Sequence, residues 1–346
     1  MKKPPEFLFL SINEHCNLRC LHCDYWRMRR PSLLTTSLPR QGEILSEFAE
    51  MSPEGKVVIC GGEPTLDPSA YFETCRICRY LGLTTLSVTN GSTVATPEDA
   101  DRMMQNGPDE ISISLDGCDP ETHDRMRGAR GAFAEATRSL SLLLEARSRR
   151  PAWRWSDLPK IYAMGLLTAS TCHHLDSFYE LVLAKIGADK LKLNAVQPSF
   201  LNTRAGQRLD SDEFFEVESQ VDPDLLDRDL IACDQKWRLN LNPAWRSQVV
   251  SYFRYLWQKP QLARGWEGGF ETNELLCNSY DRNVMVDVHG RASLCFSTAF
   301  PSRRLEKRGD LRDFWESPGC RKEMSTCRAL CGISHSVRRE HATRTP

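Results

Sequence analysis

The sequence has little net charge, no long apolar run and no dense cysteine framework, and each absence excludes a class of protein. Its 45 Lys and Arg residues nearly balance 46 Asp and Glu residues, for a net charge of -1. Overall charge therefore favours neither nucleic acid nor an anionic membrane as a partner. No segment reaches the roughly 18 apolar residues of a membrane span. The 14 cysteines among 346 residues fall well short of the roughly 8–10% that is typical of small disulfide scaffolds.

The amino-terminal segment and the use of cysteine predict a cytoplasmic protein. The segment MKKPPEFLFLSI carries two lysines and a short apolar run, but Asn13 and Glu14 end that run before it reaches the length of a signal-peptide core. In a reducing compartment, cysteines bind metals or act in catalysis more often than they form disulfides. A chain of this length is expected to form about two domains.

Short apolar runs alternate with amphipathic segments as far as residue 197. Runs rich in Val, Ile, Leu and Thr predict strands over 7–12, 56–60, 84–89, 110–115, 160–167 and 190–196. Helical patterns lie between them, over 41–51, 68–80, 97–105, 131–149 and 172–186. This alternation predicts a parallel α/β sheet, either open or a partial barrel, with ligands at the carboxyl ends of the strands.

Beyond Pro198 the alternation ends. The predicted organisation is a first domain over 1–198, a partly helical connection over 199–276, an extension over 277–337 and a disordered basic tail over 338–346. The connection has helical patterns near 211–220 and 243–257. In the extension, a turn at His289 and Gly290 predicts a hairpin of 283–288 and 291–295, and a short helix is predicted over 310–316.

Three cysteines follow the first predicted strand, at Cys16, Cys20 and Cys23. Three thiolates at this spacing can hold one face of a four-iron cube and leave one iron open. Zinc bound by the same cysteines with His15 or His22 is an alternative, because tetrahedral zinc accepts such ligands. Three unligated thiols in one loop are the remaining alternative, although such a loop would be prone to oxidation.

This C-x3-C-x2-C loop, together with a glycine pair after the second strand, resembles the signature of the radical S-adenosylmethionine (SAM) superfamily. The second segment is Gly61-Gly62-Glu63-Pro64, similar to the GGEP motif of that family. The resemblance implies a partial (β/α)6 barrel, a 4Fe-4S cluster on the three cysteines, and SAM bound along this glycine segment.

Further motifs extend the resemblance through the fourth strand. They are Thr89-Asn90-Gly91, the run from Ser112 to Gly117, and His123-Asp124-Arg125-Met126-Arg127-Gly128. The resemblance places Asn90 among the SAM-binding residues and implies that Ser114 and Arg127 contact the ribose or carboxylate of SAM. The alternative for Arg127 is a surface ion pair that caps a loop.

A second group of cysteines lies near the carboxyl end of the chain, at Cys277, Cys295, Cys320, Cys327 and Cys331. Four thiolates suit either zinc or an iron–sulfur cluster. The spacing resembles the SPASM/twitch extension of radical SAM enzymes but lacks the full seven-cysteine pattern. The resemblance therefore implies one auxiliary 4Fe-4S cluster, held by Cys277, Cys295, Cys331 and either Cys327 or Cys320.

Other candidates have both a functional and an ordinary interpretation. Cys118 and Cys172 follow predicted strands, and either thiol could return a hydrogen atom to a substrate radical; both also suit plain packing. Arg27, Arg29 and Arg30 could meet an anionic substrate or lie on a solvated loop. Residues 147–155 carry four Arg and two Trp and are expected at the surface.

The expected function is that of a radical SAM enzyme. By the resemblance, one electron from a donor such as flavodoxin or ferredoxin cleaves SAM to a 5′-deoxyadenosyl radical, which abstracts hydrogen from substrate. The expected substrate is a small polar metabolite (sugar, aminocyclitol or nucleoside) that is oxidised, epimerised or decarboxylated, in natural-product or antibiotic biosynthesis. The first strand starts near residue 7, which modestly favours a small molecule over the alternative, modification of a peptide or protein.

Overall fold

The computed structural model describes residues 3–27, 36–151, 158–198, 210–258, 279–295, 302–319 and 322. The strands in these ranges are β1 (Phe7–Asn13), β2 (Lys56–Gly61), β3 (Thr84–Thr89), β4 (Glu110–Ser114), β5 (Lys160–Leu167), β6 (Lys190–Ala195), β7 (Asn283–Val286), β8 (Arg291–Ser293) and β9 (Arg303–Arg304).

The helices of the first part of the chain are α1 (Leu38–Met51), α2 (Pro68–Tyr80), α3 (Pro97–Asn106), α4 (Pro120–Arg127), α5 (Ala132–Ser148), α6 (Ala169–Cys172) and α7 (Leu175–Tyr179). The remaining helices are α8 (Asp210–Glu218), α9 (Pro223–Trp237), α10 (Pro243–Gln258), α11 (Ser279–Arg282) and α12 (Asp310–Glu316). Among these helices, none combines the length and the apolarity that crossing a bilayer requires.

The described strands form one sheet in the order β6-β5-β4-β3-β2-β1-β7-β8-β9. Strands β1 to β6 pair in parallel, and β7 pairs in parallel with the other side of β1. Strands β8 and β9 then add antiparallel pairings. The predicted fold class, a partial barrel of parallel strands followed by a hairpin and a helix, is confirmed. The hairpin continues the sheet of the barrel, although the sequence predicts an extension that starts at residue 277 as a separate unit.

One face of the sheet is buried beneath the helices. Leu8, Val57 and Ile111 are completely buried there and belong to one core with Phe48 of α1 and Leu140 of α5. Because side chains alternate along a strand, the intervening residues lie on the opposite face. We call this the inner face; it carries alternate residues starting from Phe7, Lys56, Thr84, Glu110, Lys160 and Lys190.

The helix predicted over 172–186 is wrong in detail. Thr168 and Thr171 form a reciprocal capping box that starts α6 before residue 172, and α7 then continues into a π-helical segment, Glu180–Ile186. Side-chain capping therefore overrides the simple apolar periodicity on which the prediction rests.

The surface position expected for residues 147–155 is wrong at Arg147. This side chain is only 5% exposed, and its Nη2 donates a hydrogen bond of 3.0 Å to Asp189 Oδ1. The pair ties the end of α5 to the loop before β6 through a charge-assisted hydrogen bond. Residues 152–155 lie outside the described residues.

Candidate active site

The three cysteines of the first group lie in a loop that follows β1, at the edge of the sheet where the parallel strands end. We call residues 14–24 the cysteine loop and this edge the carboxyl edge. Cys16, Cys20 and Cys23 line one cavity of about 90 Å³, together with Gly62 and Arg127. His22 and Asn90 also line this thiol cavity. The structure therefore brings the predicted cluster ligands and three of the predicted SAM-binding residues to one place.

Backbone hydrogen bonds hold the glycine segment against the cysteine loop. The amide of Gly62 donates to the carbonyl of Asn13 over 3.1 Å, and the amide of Glu63 donates to His15 over 2.6 Å. A Cβ on Gly62 would lie 2.1 Å from the carbonyl oxygen of His15. Only glycine permits this approach, because backbone cannot move away as a flexible side chain would.

Glu63 organises the ends of β2 and β3. Its carboxylate is 2% exposed and accepts hydrogen bonds from the amide of Thr65 at 3.1 Å and its hydroxyl at 2.6 Å. It also accepts from the hydroxyl of Thr89 at 2.6 Å and the amide of Asn90 at 2.7 Å. All these donors belong to the protein, so Glu63, predicted as a cofactor-binding residue, positions the segments that line the cavity.

The end of α4 holds the cysteine loop from the other side. The amide of Arg19 donates to the carbonyl of Arg127 over 3.3 Å, and the amide of Leu21 donates to that of Met126 over 3.0 Å. Gly128 ends the helix in the left-handed region, and a Cβ there would lie 2.2 Å from the carbonyl oxygen of Arg19. The loop is therefore fixed by backbone contacts on both flanks.

Arg127 is a buried link between the thiols and an acidic side chain. Its Nε lies 2.8 Å from Asp116 Oδ2, and its Nη1 donates to Cys20 Sγ over 3.8 Å. Burial acts to lower the pKa of Arg127, but the carboxylate of Asp116 and the neighbouring Cys20 outweigh it and raise that pKa above its usual range. Because Arg127 is only 9% exposed, the surface-ion-pair alternative for it is wrong.

The thiols need a cation to become ligands. Burial raises the pKa of Cys16 to about 11 and that of Cys23 to about 12, so both thiols stay protonated at neutral pH without a bound metal. Within the described ranges, no three His, Cys, Asp or Glu side chains are already grouped as ligands of a metal ion. The cysteines thus share a cavity without converging on one point.

Several buried polar atoms in the cysteine loop or directly before it have no hydrogen-bond partner. They are Asn13 Oδ1, Glu14 Oε2 and His22 Nδ1. Burial lowers the pKa of His22 to about 4, so the imidazole is neutral at pH 7. Native proteins seldom leave such atoms without a partner. Three thiols, a glycine cradle and the orphaned nitrogen of His22 in one cavity fit a resident cluster with a polar ligand beside it.

The other predicted site residues lie elsewhere. Ser114 is buried at the end of β4 on the inner face. Cys172 belongs to the hydrophobic core and is 3% exposed, and Cys118 is half-buried against the same core. The structure brings neither thiol to the thiol cavity. The remaining predictions lie outside the described residues: Arg29, Arg30, Cys277, Cys320, Cys327 and Cys331.

Sequence reasoning missed two residues that shape the site. Asn13 donates from Nδ2 to the carbonyl of Glu63 over 2.9 Å, and Asp116 pairs with Arg127. His123 also holds Asp116 in position, because the backbone amide of Asp116 donates a hydrogen bond of 2.9 Å to His123 Nδ1. Both residues stand next to recognised motifs, Asn13 at the end of the first strand and Asp116 inside the run from Ser112 to Gly117, which was the available signal.

Helix α8 covers the cysteine loop. Ser211 Oγ donates to Asp24 Oδ2 over 2.8 Å, and the ring of Phe214 lies 5.9 Å from that of His22. At the other end of α8, Glu218 Oε1 lies 2.8 Å from Arg125 Nη2. The helix therefore closes part of the carboxyl edge against solvent.

A model of the radical SAM superfamily matches residues 10–154, a span that starts within β1 and contains β2 to β4 and the first-domain motifs described above. The chain contains a radical SAM domain.

Curated relatives share this domain with the chain. The AdoMet-dependent heme synthase of Methanosarcina barkeri is 34% identical over 153 residues, which cover 42% of this chain and 41% of that protein. The mycofactocin maturase MftC of Mycobacterium ulcerans is 36% identical over 143 residues, 41% of this chain and 37% of that protein. The matched segment thus spans well under half of either relative.

A solved structure extends the likeness of fold beyond the radical SAM domain. The Streptococcus suis protein SuiB bound to S-adenosylmethionine superposes with a TM-score of 0.62 at 15% identity, over 94% of this chain and 66% of that chain. At this identity the likeness concerns the fold alone.

Proposed function

We propose that this chain is a radical SAM enzyme that abstracts hydrogen from a small polar metabolite, of the sugar, aminocyclitol or nucleoside type. One observation carries the proposal: the three thiols of the C-x3-C-x2-C loop share a cavity with Gly62, at a position where only glycine fits. Oxidation, epimerisation and decarboxylation of the substrate all remain outcomes of the same first step.

A four-iron cluster with one open iron would, when bound, supply the electron that splits SAM into methionine and a 5′-deoxyadenosyl radical, the species that would take a hydrogen atom from substrate. Cys16, Cys20 and Cys23 would hold the cluster as thiolates. Gly62 would offer its backbone to SAM, because it lines the same cavity as the three thiols. Arg127 keeps a fixed positive charge beside Cys20, because Asp116 anchors its guanidinium in the buried interior.

Exclusion of water follows from the packing around the cysteine loop. Helix α8 lies across the loop through Ser211 and Phe214, and α4 closes the other flank through Met126 and Arg127. Reactive intermediates in such a site are protected from side reactions with solvent. An external reductant such as a flavodoxin or ferredoxin is the proposed partner.

We also propose one auxiliary 4Fe-4S cluster, held by Cys277, Cys295, Cys331 and either Cys327 or Cys320. The support is the position of Cys295, half-buried directly after β8. Because β8 runs antiparallel to β7, Cys295 lies towards the edge where β1 begins. With 7 residues in β1, Cys295 lies about 20 Å from the cysteine loop along the strand direction.

The experiment is anaerobic reconstitution followed by addition of SAM and dithionite. The proposal predicts about eight irons per chain, as two four-iron clusters require, and formation of 5′-deoxyadenosine. About four irons per chain would exclude the auxiliary cluster. Bound zinc without SAM cleavage would exclude the proposed enzymatic activity. Deuterated candidate metabolites then identify the substrate by transfer of label into deoxyadenosine.

Modification of a peptide or protein is the second candidate. The similarity of residues in this radical SAM domain to the maturase of Mycobacterium ulcerans favours it. A screen of the reconstituted protein with candidate peptides separates the two, because label from a deuterated peptide would appear in deoxyadenosine only if the peptide is the substrate.

A further inference from the structure

The inner face of the sheet carries an unusual set of charges. In β1 to β6 its charged residues are four lysines, Lys56, Lys160, Lys190 and Lys192, and one carboxylate, Glu110. The opposite face of the same strands is an apolar core. On these strands lysines outnumber carboxylates by four to one, and an excess of positive side chains favours anions.

Lys192 is the lysine of this set that lies nearest the level of the SAM-binding residues. The strand register pairs Ser114 with Met164 and Met164 with Lys192. Directly paired residues share one face of a sheet. The Cα of Lys192 therefore lies on the same face and at the same level as that of Ser114, two strands away, which is about 10 Å in the hydrogen-bonding direction. Its side chain reaches from there towards Glu110, at the start of β4.

The side chain of Lys192 is held in place but not sealed from solvent. Its Nζ lies 3.2 Å from Glu110 Oε2, and the two side chains are 26% and 22% exposed. The same Nζ lies 3.9 Å from the centre of the Tyr162 ring. The ion pair and the ring fix one ammonium group in a half-enclosed position, where it loses less conformational freedom on meeting a ligand than a free surface lysine would.

Resting on the proposed function, we propose that the inner face binds an anionic oxygen group of the substrate, a phosphate or a carboxylate, with Lys192 as its principal anchor. Lysine acts as a point charge and suits groups with several oxygens, whereas planar two-pronged recognition uses arginine. The described inner face of β1 to β6 carries lysines and no arginine. Because the ammonium of Lys192 contacts Glu110 at the start of β4, an anion bound there would leave the rest of the substrate extending along the inner face towards Ser114.

The test uses the reconstituted, SAM-bound protein and two probes, tripolyphosphate and citrate, in calorimetric titrations at low salt. We expect at least one probe to bind, and Lys192→Gln to bind it about tenfold more weakly, with partial recovery in Lys192→Arg. Glu110→Gln should bind several-fold more tightly, since it removes the competing carboxylate. Binding should weaken as salt screens the charges.

Lys236→Gln is the matched control. Lys236 also pairs with a carboxylate, with its Nζ 2.8 Å from Asp176 Oδ2, but it lies on α9 and not on the inner face. This variant should bind both probes as the wild type does. Iron content and the melting temperature of each variant establish that it is folded.

Two results would overturn the inference: neither probe binds the wild type, or Lys192→Gln and Lys236→Gln bind equally well. The arms also separate the two chemistries, because selective binding of tripolyphosphate or of citrate identifies phosphate or carboxylate. Failure of the proposed function is distinguishable, since it would show as absence of 5′-deoxyadenosine from the wild type with SAM and dithionite, whatever the anions do.

Discussion

Replacing Glu63 by glutamine tests whether this carboxylate clamps the cavity segments together. Each carboxylate oxygen accepts from a different backbone amide, Oε1 from Thr65 at 3.1 Å and Oε2 from Asn90 at 2.7 Å. A glutamine has only one oxygen, so either orientation of its amide leaves one backbone N–H facing an NH2 group. The hydroxyls of Thr65 and Thr89 can turn to adapt, but an amide N–H cannot.

The magnitude follows from the lost and stranded groups. A hydrogen bond to a charged group contributes about 1.5–3 kcal/mol, and a buried donor left without an acceptor costs about 1–3 kcal/mol. Since the site is buried, we expect Glu63→Gln to lower the free energy of unfolding by about 2–4 kcal/mol. Urea denaturation measures it, with an unchanged m-value showing that only stability has changed.

Glu73→Gln is the control for this experiment. This variant makes the same chemical change on the exposed face of α2, where Glu73 pairs with Arg76. We expect it to leave the free energy of unfolding unchanged. A loss below about 1 kcal/mol in Glu63→Gln, which is within the range of ordinary surface changes and weak bonds, would refute the clamp. A clamp should also show in iron retention, which we expect to fall in Glu63→Gln and not in Glu73→Gln.

Three further predictions concern the same site. Gly62→Ala should abolish iron retention after reconstitution, since its Cβ would meet the His15 carbonyl oxygen at 2.1 Å. Its control, Gly42→Ala in α1, has its nearest contact at 3.8 Å and should retain iron. Equal iron retention in the two variants would contradict the packing argument. Arg127→Met should lower the free energy of unfolding by about 3–5 kcal/mol in urea titrations, because Asp116 becomes an unpaired buried charge. Adding Asp116→Asn should restore part of that free energy, and no recovery would show that the lost ion pair is not the cause. Burial lowers the pKa of His123 from 6.5 to about 4, so between these pH values the unfolded chain binds a proton that the folded chain does not, and the free energy of unfolding should fall as pH drops from about 6.5 towards 4. Measured at several pH values, the free energy of unfolding of His123→Asn should depend less steeply on pH. An unchanged dependence would count against His123 as the source.

The strands were predictable because their local patterns are strong. The predicted ranges 84–89 and 160–167 coincide with β3 and β5, which are short runs rich in the strand-forming residues Thr, Val, Ile, Leu and Tyr. Helix α4 is missing from the predicted helices although Asp119 caps it and Pro120 begins it, because its apolar residues are too few to form a periodic stripe.

The pairing of β7 with β1 could not be predicted from local pattern, because strand order depends on contacts between residues far apart in sequence. The same reason limits how much of the candidate site could be predicted from the sequence. The cysteine loop and the glycine pair are recognisable because their chemistry needs a fixed spacing. The hydrogen bond from Asn90 to Glu63 and the ion pair of Asp116 with Arg127 join separate segments, and only the fold shows which residues meet.

The central claim is that Cys16, Cys20 and Cys23 hold a cluster that cleaves SAM. The most direct measurement is 5′-deoxyadenosine formation from SAM and dithionite by the reconstituted wild type and by a variant with all three cysteines changed to alanine. The account predicts deoxyadenosine from the wild type, none from the variant, and about four fewer irons per chain in the variant. Equal iron content in the two proteins, or no deoxyadenosine from an iron-loaded wild type, would contradict it.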